Sequence, residues 1–230
     1  MQAADVMTPD VITVPPAATV REIAERLLEN RISAVPVVDA EGRLLGIVSE
    51  GDLIRRAETE TERRENWWLK IFATRDDDAA RYVKEHGRLA EEIMTRDVVT
   101  TTPTATLRDI ADLLERHHIK RVPVVENGRL VGIVSRANIL RGLVAAPDPQ
   151  RKPDADDRQL RQQVLDAISE ESGDAMPTID AVVHDGVVRL WGLVKTDARA
   201  KAAVVAAENV PGVRQVENHV RRMPGWYHGI

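Results

Sequence analysis

No cysteine occurs in the 230-residue chain, and aromatic residues are scarce: four Trp, two Tyr and one Phe. The missing cysteines exclude disulfides, thiolate metal sites and cysteine nucleophiles together. With so few rings, a core must be built from Val, Ile, Leu and Ala. Positive charge is not in excess either. The formal net charge is −5, and residues 151–230 alone carry 11 basic and 12 acidic side chains. Neither half has the cationic surplus that nucleic acid or an anionic membrane rewards. Long apolar runs are also absent: no segment approaches the roughly 20 residues of a membrane span. The opening MQAADVMTPDVITV has no basic start, no apolar run of signal length and no small-residue cleavage site, so the expected compartment is the cytoplasm. The six histidines show no metal-ligand spacing, and no Walker loop, G-x-G-x-x-G or G-x-S-x-G phrase occurs. No nucleophile–base pair suggests itself, so an enzyme is not expected, and neither is a cofactor or a metal.

What the chain does have is a sentence written twice. Aligning Pro36 with Pro123 places Met7-Thr8 on Met94-Thr95, Asp10-Val11 on Asp97-Val98 and RISAVPVVD (31–39) on HIKRVPVVE (118–126). One residue is then lost, and GRLLGIVS (42–49) meets GRLVGIVS (128–135). Each copy predicts the same order: a short extended run, a helix, two strands, a second helix. Thr19 and Thr106 stand where N-caps belong. Val20, Ile23, Ala24, Leu27 and Leu28 mark the apolar stripe of the first helix. Glu41-Gly42 and Asn127-Gly128 read as turns between the strands.

Between the copies, residues 57–91 form an insert. Trp67, Trp68, Ile71 and Phe72 share one face of a predicted helix there, suited to covering apolar surface on this module or on a dimer partner. Glu58, Glu60, Glu62 and Glu65 give that helix the wrong sign for anionic lipid. Residues 145–156, with three prolines in AAPDPQRKPDAD, read as a linker. Beyond it the style changes. Residues 157–223 predict a helix, two strands about an Asp185-Gly186 turn, an alanine-rich helix capped by Thr196 and a last strand, followed by a tail at 224–230.

The chemistry of the repeat lies where its second strand meets its second helix. Ser49 sits at a predicted helix N-terminus, which favours an anion. Asp52 follows one turn along, where a carboxylate accepts two hydrogen bonds from neighbouring hydroxyls such as those of a ribose. The plainer alternative is that the pair only caps its helix. In the second copy the equivalents are Ser135 and Asn138. An amide keeps one oxygen acceptor but loses charge, so a weaker second ribose site is expected, tightened by Asn138→Asp. Lys120 and Arg121 replace Ser33 and Ala34; they either favour a ligand with more phosphates or form a solvated basic pair.

The D-V-x-T openings, the h-P-V-V strands and the G-h-h-S-x-x-(D/N) phrases together resemble a CBS-domain pair. The G-V-V-x-L-x-G-x-V phrase (186–194), with P-G-V-x-x-V-x-N (211–218) after a helix, resembles a BON domain. The resemblance implies an α/β (α+β) fold. Two CBS repeats (1–56 and 92–144) pack about a pseudo-twofold axis, and a small αββαβ domain follows. It implies a regulatory module that binds an adenosine-containing ligand of the AMP, ATP, NAD or S-adenosylmethionine class. The residues it marks are Thr13, Ser33, Ala34, Val35, Pro36, Ser49 and Asp52 in the first copy. In the second they are Thr100, Lys120, Arg121, Val122, Pro123, Ser135 and Asn138. It further implies a homodimer through the CBS pairs, and a BON-like domain that docks on a protein partner or a phospholipid surface. The rival expectation is an interaction or envelope-stress protein with vestigial nucleotide sites, whose BON-like domain carries the function.

Overall fold

The structure is a computed structural model that describes residues 1–54, 87–145, 155–172 and 179–223. The tryptophan-bearing face of the insert, most of the linker and the tail therefore lie outside the described residues. The chain divides into two compact units.

The first of these in chain order of its bulk, residues 11–100 with 125–131, is built on the first repeat. Helix α2 (Val20–Asn30) starts at Thr19, whose hydroxyl accepts from the Glu22 amide while the Glu22 carboxylate accepts from the Thr19 amide at 2.7 Å. This reciprocal box satisfies two of the amide groups that a helix start leaves orphaned. Ile23 and Leu27 are buried, but Leu28, read as part of the same stripe, is 78% exposed; the stripe is narrower than the sequence suggests. Strands β1 (Ala34–Val38) and β2 (Leu44–Ser49) pair antiparallel, with Ala34 opposite Ser49 and Pro36 opposite Ile47. Gly42 takes a φ of 79° in the turn between them, a conformation that only glycine adopts without strain. Helix α3 (Glu50–Ile54) follows at once. The extended run that the sequence predicts before α2 shrinks to a single parallel bridge, Val14 to Val37. Pro15 and Pro16 come next in the chain, and without amide hydrogens they cannot extend a ladder.

A short helix, α4 (Ala90–Ile93), opens the second copy, two residues before the boundary read from the repeat. It does not pack on its own copy. The Ala90 amide donates to the Ala18 carbonyl at 2.8 Å, the Glu91 amide to the Pro16 carbonyl at 3.0 Å, and Ile47 and Thr95 exchange two backbone hydrogen bonds. Val14, Ile23, Leu27, Val35, Val37, Val48, Ala90 and Ile93 form one aliphatic cluster.

The other unit, residues 1–10, 101–124 and 132–230, repeats this exchange in mirror. Helix α1 (Ala3–Val6) lies against the second copy, with the Ala3 amide on the Ala105 carbonyl at 2.8 Å and Thr8 bridged to Ile133. Helix α5 (Leu107–Arg116) is capped by Thr106 and Asp109 as α2 is by Thr19 and Glu22. Strands β3 (Arg121–Glu126) and β4 (Arg129–Ser135) form the second hairpin, turned by Asn127 and Gly128, both at positive φ. Helix α6 (Arg136–Ala145) continues from β4.

The same unit holds the αββαβ domain: α7 (Ala155–Ser172), β5 (Ile179–His184), β6 (Val187–Val194), α8 (Asp197–Glu208) and β7 (Gln215–Arg222). The sheet order is β5-β6-β7, with β5 antiparallel and β7 parallel to β6. Parallel pairing demands a crossover, and α8 supplies it. Alternate residues Ile179, Ala181, Val183, Val188 and Leu190 join Val164, Leu165 and Ile168 of α7 in the core. All six residues of β5 are buried, so its second face is covered as well, by α1 and α6.

Candidate functional site

In the first repeat, the paired strands set the frame. Ala34, Val35 and Pro36 are buried in β1, and Ser33 anchors α3 by accepting the Glu50 amide at 3.0 Å. The antiparallel register puts Ser49 beside Ala34. Asp52, 7% exposed, turns back so that its Oδ2 accepts from the Ser49 amide at 2.9 Å and the Ser49 hydroxyl at 2.7 Å. Ser49 and Asp52 are thus one hydrogen-bonded pair, and one carboxylate oxygen is committed to starting the helix. Thr13, partly buried, precedes Val14, whose amide binds the Pro36 carbonyl. The structure therefore gathers Thr13, Ser33, Ala34, Val35, Pro36, Ser49 and Asp52 at one end of one hairpin.

Met94 and Thr95 of the second copy close on the same hairpin. A β-carbon built on Gly46 would lie 2.5 Å from Met94 Sδ and 2.9 Å from the Thr95 carbonyl oxygen. That contact is invisible to sequence spacing. The only hint is that Met-Thr recurs at both repeat openings together with a glycine in both second strands.

The second repeat repeats the frame but not the partners. Val122 and Pro123 are buried, Lys120 is exposed and its carbonyl accepts the Arg136 amide at 3.3 Å. Arg121 is partly buried. Thr100 is exposed and precedes Thr101, whose amide binds the Pro123 carbonyl at 2.9 Å, as Thr13 precedes Val14 in the first repeat. Asn138 is 4% exposed, and its Oδ1 accepts from the Ser135 amide at 2.9 Å and the Ser135 hydroxyl at 2.5 Å. An amide N–H can only donate, which fixes Oδ1 on the Ser135 side and Nδ2 on the other. Nδ2 then donates to the Val6 carbonyl at 2.8 Å and to Asp180 Oδ2 at 3.0 Å.

Asp180 is the residue that sequence reasoning missed. It comes from β5, on the face turned away from the domain's own core. Its Oδ2 also takes Arg141 Nη1 at 2.8 Å, and its Oδ1 takes Arg161 Nη2 at 3.0 Å and the Ala181 amide at 2.9 Å. Arg161 continues to the Ala181 and Met7 carbonyls. Arg158 binds Asp5 of α1 and Gln2 just before it, and Arg189 donates to the Ala145 carbonyl at the end of α6 at 3.0 Å. A cation there complements the negative end of the helix. The pattern of IDAVVH carries a faint signal: an aspartate among the apolar residues of a strand needs a partner if it is buried.

Two groups away from these hairpins answer other expectations. His117 and His118 are exposed on the turn after α5. Trp191 stacks on His219 with ring centroids 5.2 Å apart, outside the core cluster of its domain. No helix among the described residues is long and apolar enough to cross a membrane.

Comparison with known proteins agrees with this geometry. The CBS-domain family profile matches residues 3–58 and 90–145, and the BON-domain profile matches 156–223. The chain is 33% identical over 142 residues to CBSX1, a chloroplastic CBS domain-containing protein of Arabidopsis thaliana, covering 57% of this chain and 58% of that one. It is 32% identical over 131 residues to the uncharacterized protein MJ1426 of Methanocaldococcus jannaschii, covering 50% of this chain and 76% of that one. Among solved structures, CBSX2 in complex with AMP has a TM-score of 0.56 and 27% identity, over 64% of this chain and 99% of that one; CBSX2 is also an Arabidopsis thaliana protein. The chain thus spans little more than half of CBSX1 and most of MJ1426. Two hairpins of one design, each closed by the other copy's opening helix and followed by an αββαβ domain, are the parts of a CBS-domain protein, and this chain belongs to that family, with two CBS domains and a C-terminal BON domain.

Proposed function

We propose that the chain is a non-enzymatic regulatory protein that binds an adenosine-containing ligand through its CBS domains. The observation that carries this reading is the first repeat's hairpin end, where a buried carboxylate, Asp52, is held by Ser49 beside the apolar Ala34–Pro36 strand. A structure similar to this chain over nearly all of its own length holds AMP. In this reading the strand packs against adenine and the Asp52 carboxylate faces the ribose. AMP, ATP, NAD and S-adenosylmethionine share the adenosine that these residues recognise. A regulatory output requires that the ligand bind two states of the protein unequally. The reading also includes a homodimer, a cytoplasmic setting and a BON domain that docks on protein rather than on lipid. Residues 151–230, which hold that domain, carry 11 basic against 12 acidic side chains and leave little uncompensated charge for an anionic surface.

A thermal-shift series with AMP, ATP, NAD and S-adenosylmethionine tests it. A ligand that binds only the folded state stabilises by mass action, about 2.7 kcal/mol at one hundred times its dissociation constant. At least one of the four should raise the melting temperature of the wild type and not of Asp52→Ala. Four flat titrations would sink the reading.

A further inference from the structure

We propose that Asp180 of the BON domain is the resident occupant of the second repeat's ligand grip, so that a nucleotide enters there only by displacing the BON strand. This rests on the nucleotide reading above and gives it a regulation. A side-chain amide offers two hydrogens and two lone pairs. In Asn138 all four are spent: Oδ1 on the Ser135 amide and hydroxyl, Nδ2 on the Val6 carbonyl and Asp180. Nothing remains on Asn138 for a ribose hydroxyl while Asp180 is in place.

Space gives the same answer. The cavity beside Asn138 is lined by residues 8–10 and Arg141 together with Leu165, Ile179 and Asp180 of the BON domain, and has a volume of about 160 Å³. Small-molecule pockets begin near 300 Å³. Three of its seven lining residues belong to the domain that would have to move.

The chemistry of the plug names the class of ligand that competes with it. Asp180 presents an anionic oxygen shared between the Asn138 amide and the Arg141 guanidinium. An adenosine nucleotide supplies the same pair of functions, a hydroxyl oxygen for Asn138 and a phosphate for Arg141. A neutral nucleoside supplies only the first and leaves Arg141 without its anion. Asp180 also explains the asparagine. A carboxylate at 138 would face the Val6 carbonyl and the Asp180 carboxylate with no hydrogen to donate; an amide fits both. Ligand binding and BON docking on this face are therefore mutually exclusive, and linkage makes the exclusion reciprocal.

The test titrates AMP and adenosine into the full chain carrying Asp52→Ala, which silences the first repeat, with and without Asp180→Ala. With Asp180 present AMP should bind weakly; removing it should tighten AMP about tenfold or more and adenosine much less. Equal AMP affinity in the two proteins overturns the proposal while wild-type binding at the first repeat leaves the nucleotide reading intact. No AMP binding in the wild type or in any variant sinks both. Hydrogen exchange on the chain with Asp180 retained gives a readout that does not depend on the folding of Asp180→Ala. Saturating AMP should speed exchange across residues 179–184, and unchanged exchange with AMP bound at the second repeat overturns the displacement.

Discussion

Ser49–Asp52 and Ser135–Asn138 start their helices with nearly superimposable hydrogen bonds: the serine amide lies 2.9 Å from the acceptor oxygen in both. What differs is the chemistry of the side chain. Asp52 is a carboxylate, which can only accept, whereas Asn138 also turns an amide N–H₂ that donates to Val6 and to the BON domain. Read along the chain, the Asp-to-Asn exchange looks like decay of a ligand site. In three dimensions it is a change of role from acceptor to donor, demanded by a neighbour 42 residues away. The duplicated frame is kept because it is a folding solution; the partner side is where the copies diverge.

The largest effect should come from attacking the feature that only the second copy has. Arg161 is 5% exposed and bonds Asp180, Ala181 and Met7. Arg161→Ala leaves a buried carboxylate short of a partner, at about 3–5 kcal/mol by urea unfolding. On the first repeat's own surface, the Arg21–Glu25 pair at 3.0 Å is exposed on both sides; Arg21→Ala should cost about 0.5 kcal/mol or less in the same assay. Similar losses in the two would erase the distinction.

The amide itself comes next. Asn138→Asp, expected from sequence alone to strengthen a ribose site, should instead destabilise the protein by about 1–3 kcal/mol and weaken BON docking, while Asp52→Asn should lower nucleotide affinity with a smaller stability change. Calorimetric titration and chemical unfolding of both proteins sort the two roles. If the exchanges behave alike, the acceptor and donor assignments are wrong.

The glycines under the exchanged helices sharpen the comparison further. At Gly132 the intruding atoms all belong to Met7's flexible side chain, whereas at Gly46 the Thr95 carbonyl oxygen also stands in the way. Gly46→Ala should cost about 1–3 kcal/mol and Gly132→Ala clearly less, read as a shift of the unfolding midpoint.

The smallest effect concerns acid. The Thr19 amide and hydroxyl, as donors to its carboxylate, hold Glu22 below the ordinary glutamate range, and the Leu89 and Arg88 amides do the same for Glu92. A folded value below the unfolded one, about 4.3, means stabilisation that is full above that pH and is lost as pH falls through the lower folded value. Glu22→Gln and Glu92→Gln should each flatten the acid limb of a melting-temperature profile slightly. An unchanged limb would show that these caps do not titrate with folding.

The repeat, its order of helices and strands, the capping threonines, the hairpin turns and the whole αββαβ pattern were determined by the sequence itself. These depend on neighbours three or four residues apart or on alternation along a strand. The Ser49–Asp52 and Ser135–Asn138 pairs were also legible, because serine and its acceptor three residues on form a local arrangement. The exchange of opening helices was decided only by tertiary structure, since Met7 on Gly132 and Met94 on Gly46 obey no short-range period. So was the fate of Asn138. Its hydrogens, and with them its meaning, are set by Val6 and Asp180, which the chain brings together from opposite ends because a buried polar group must find its partner wherever packing places one.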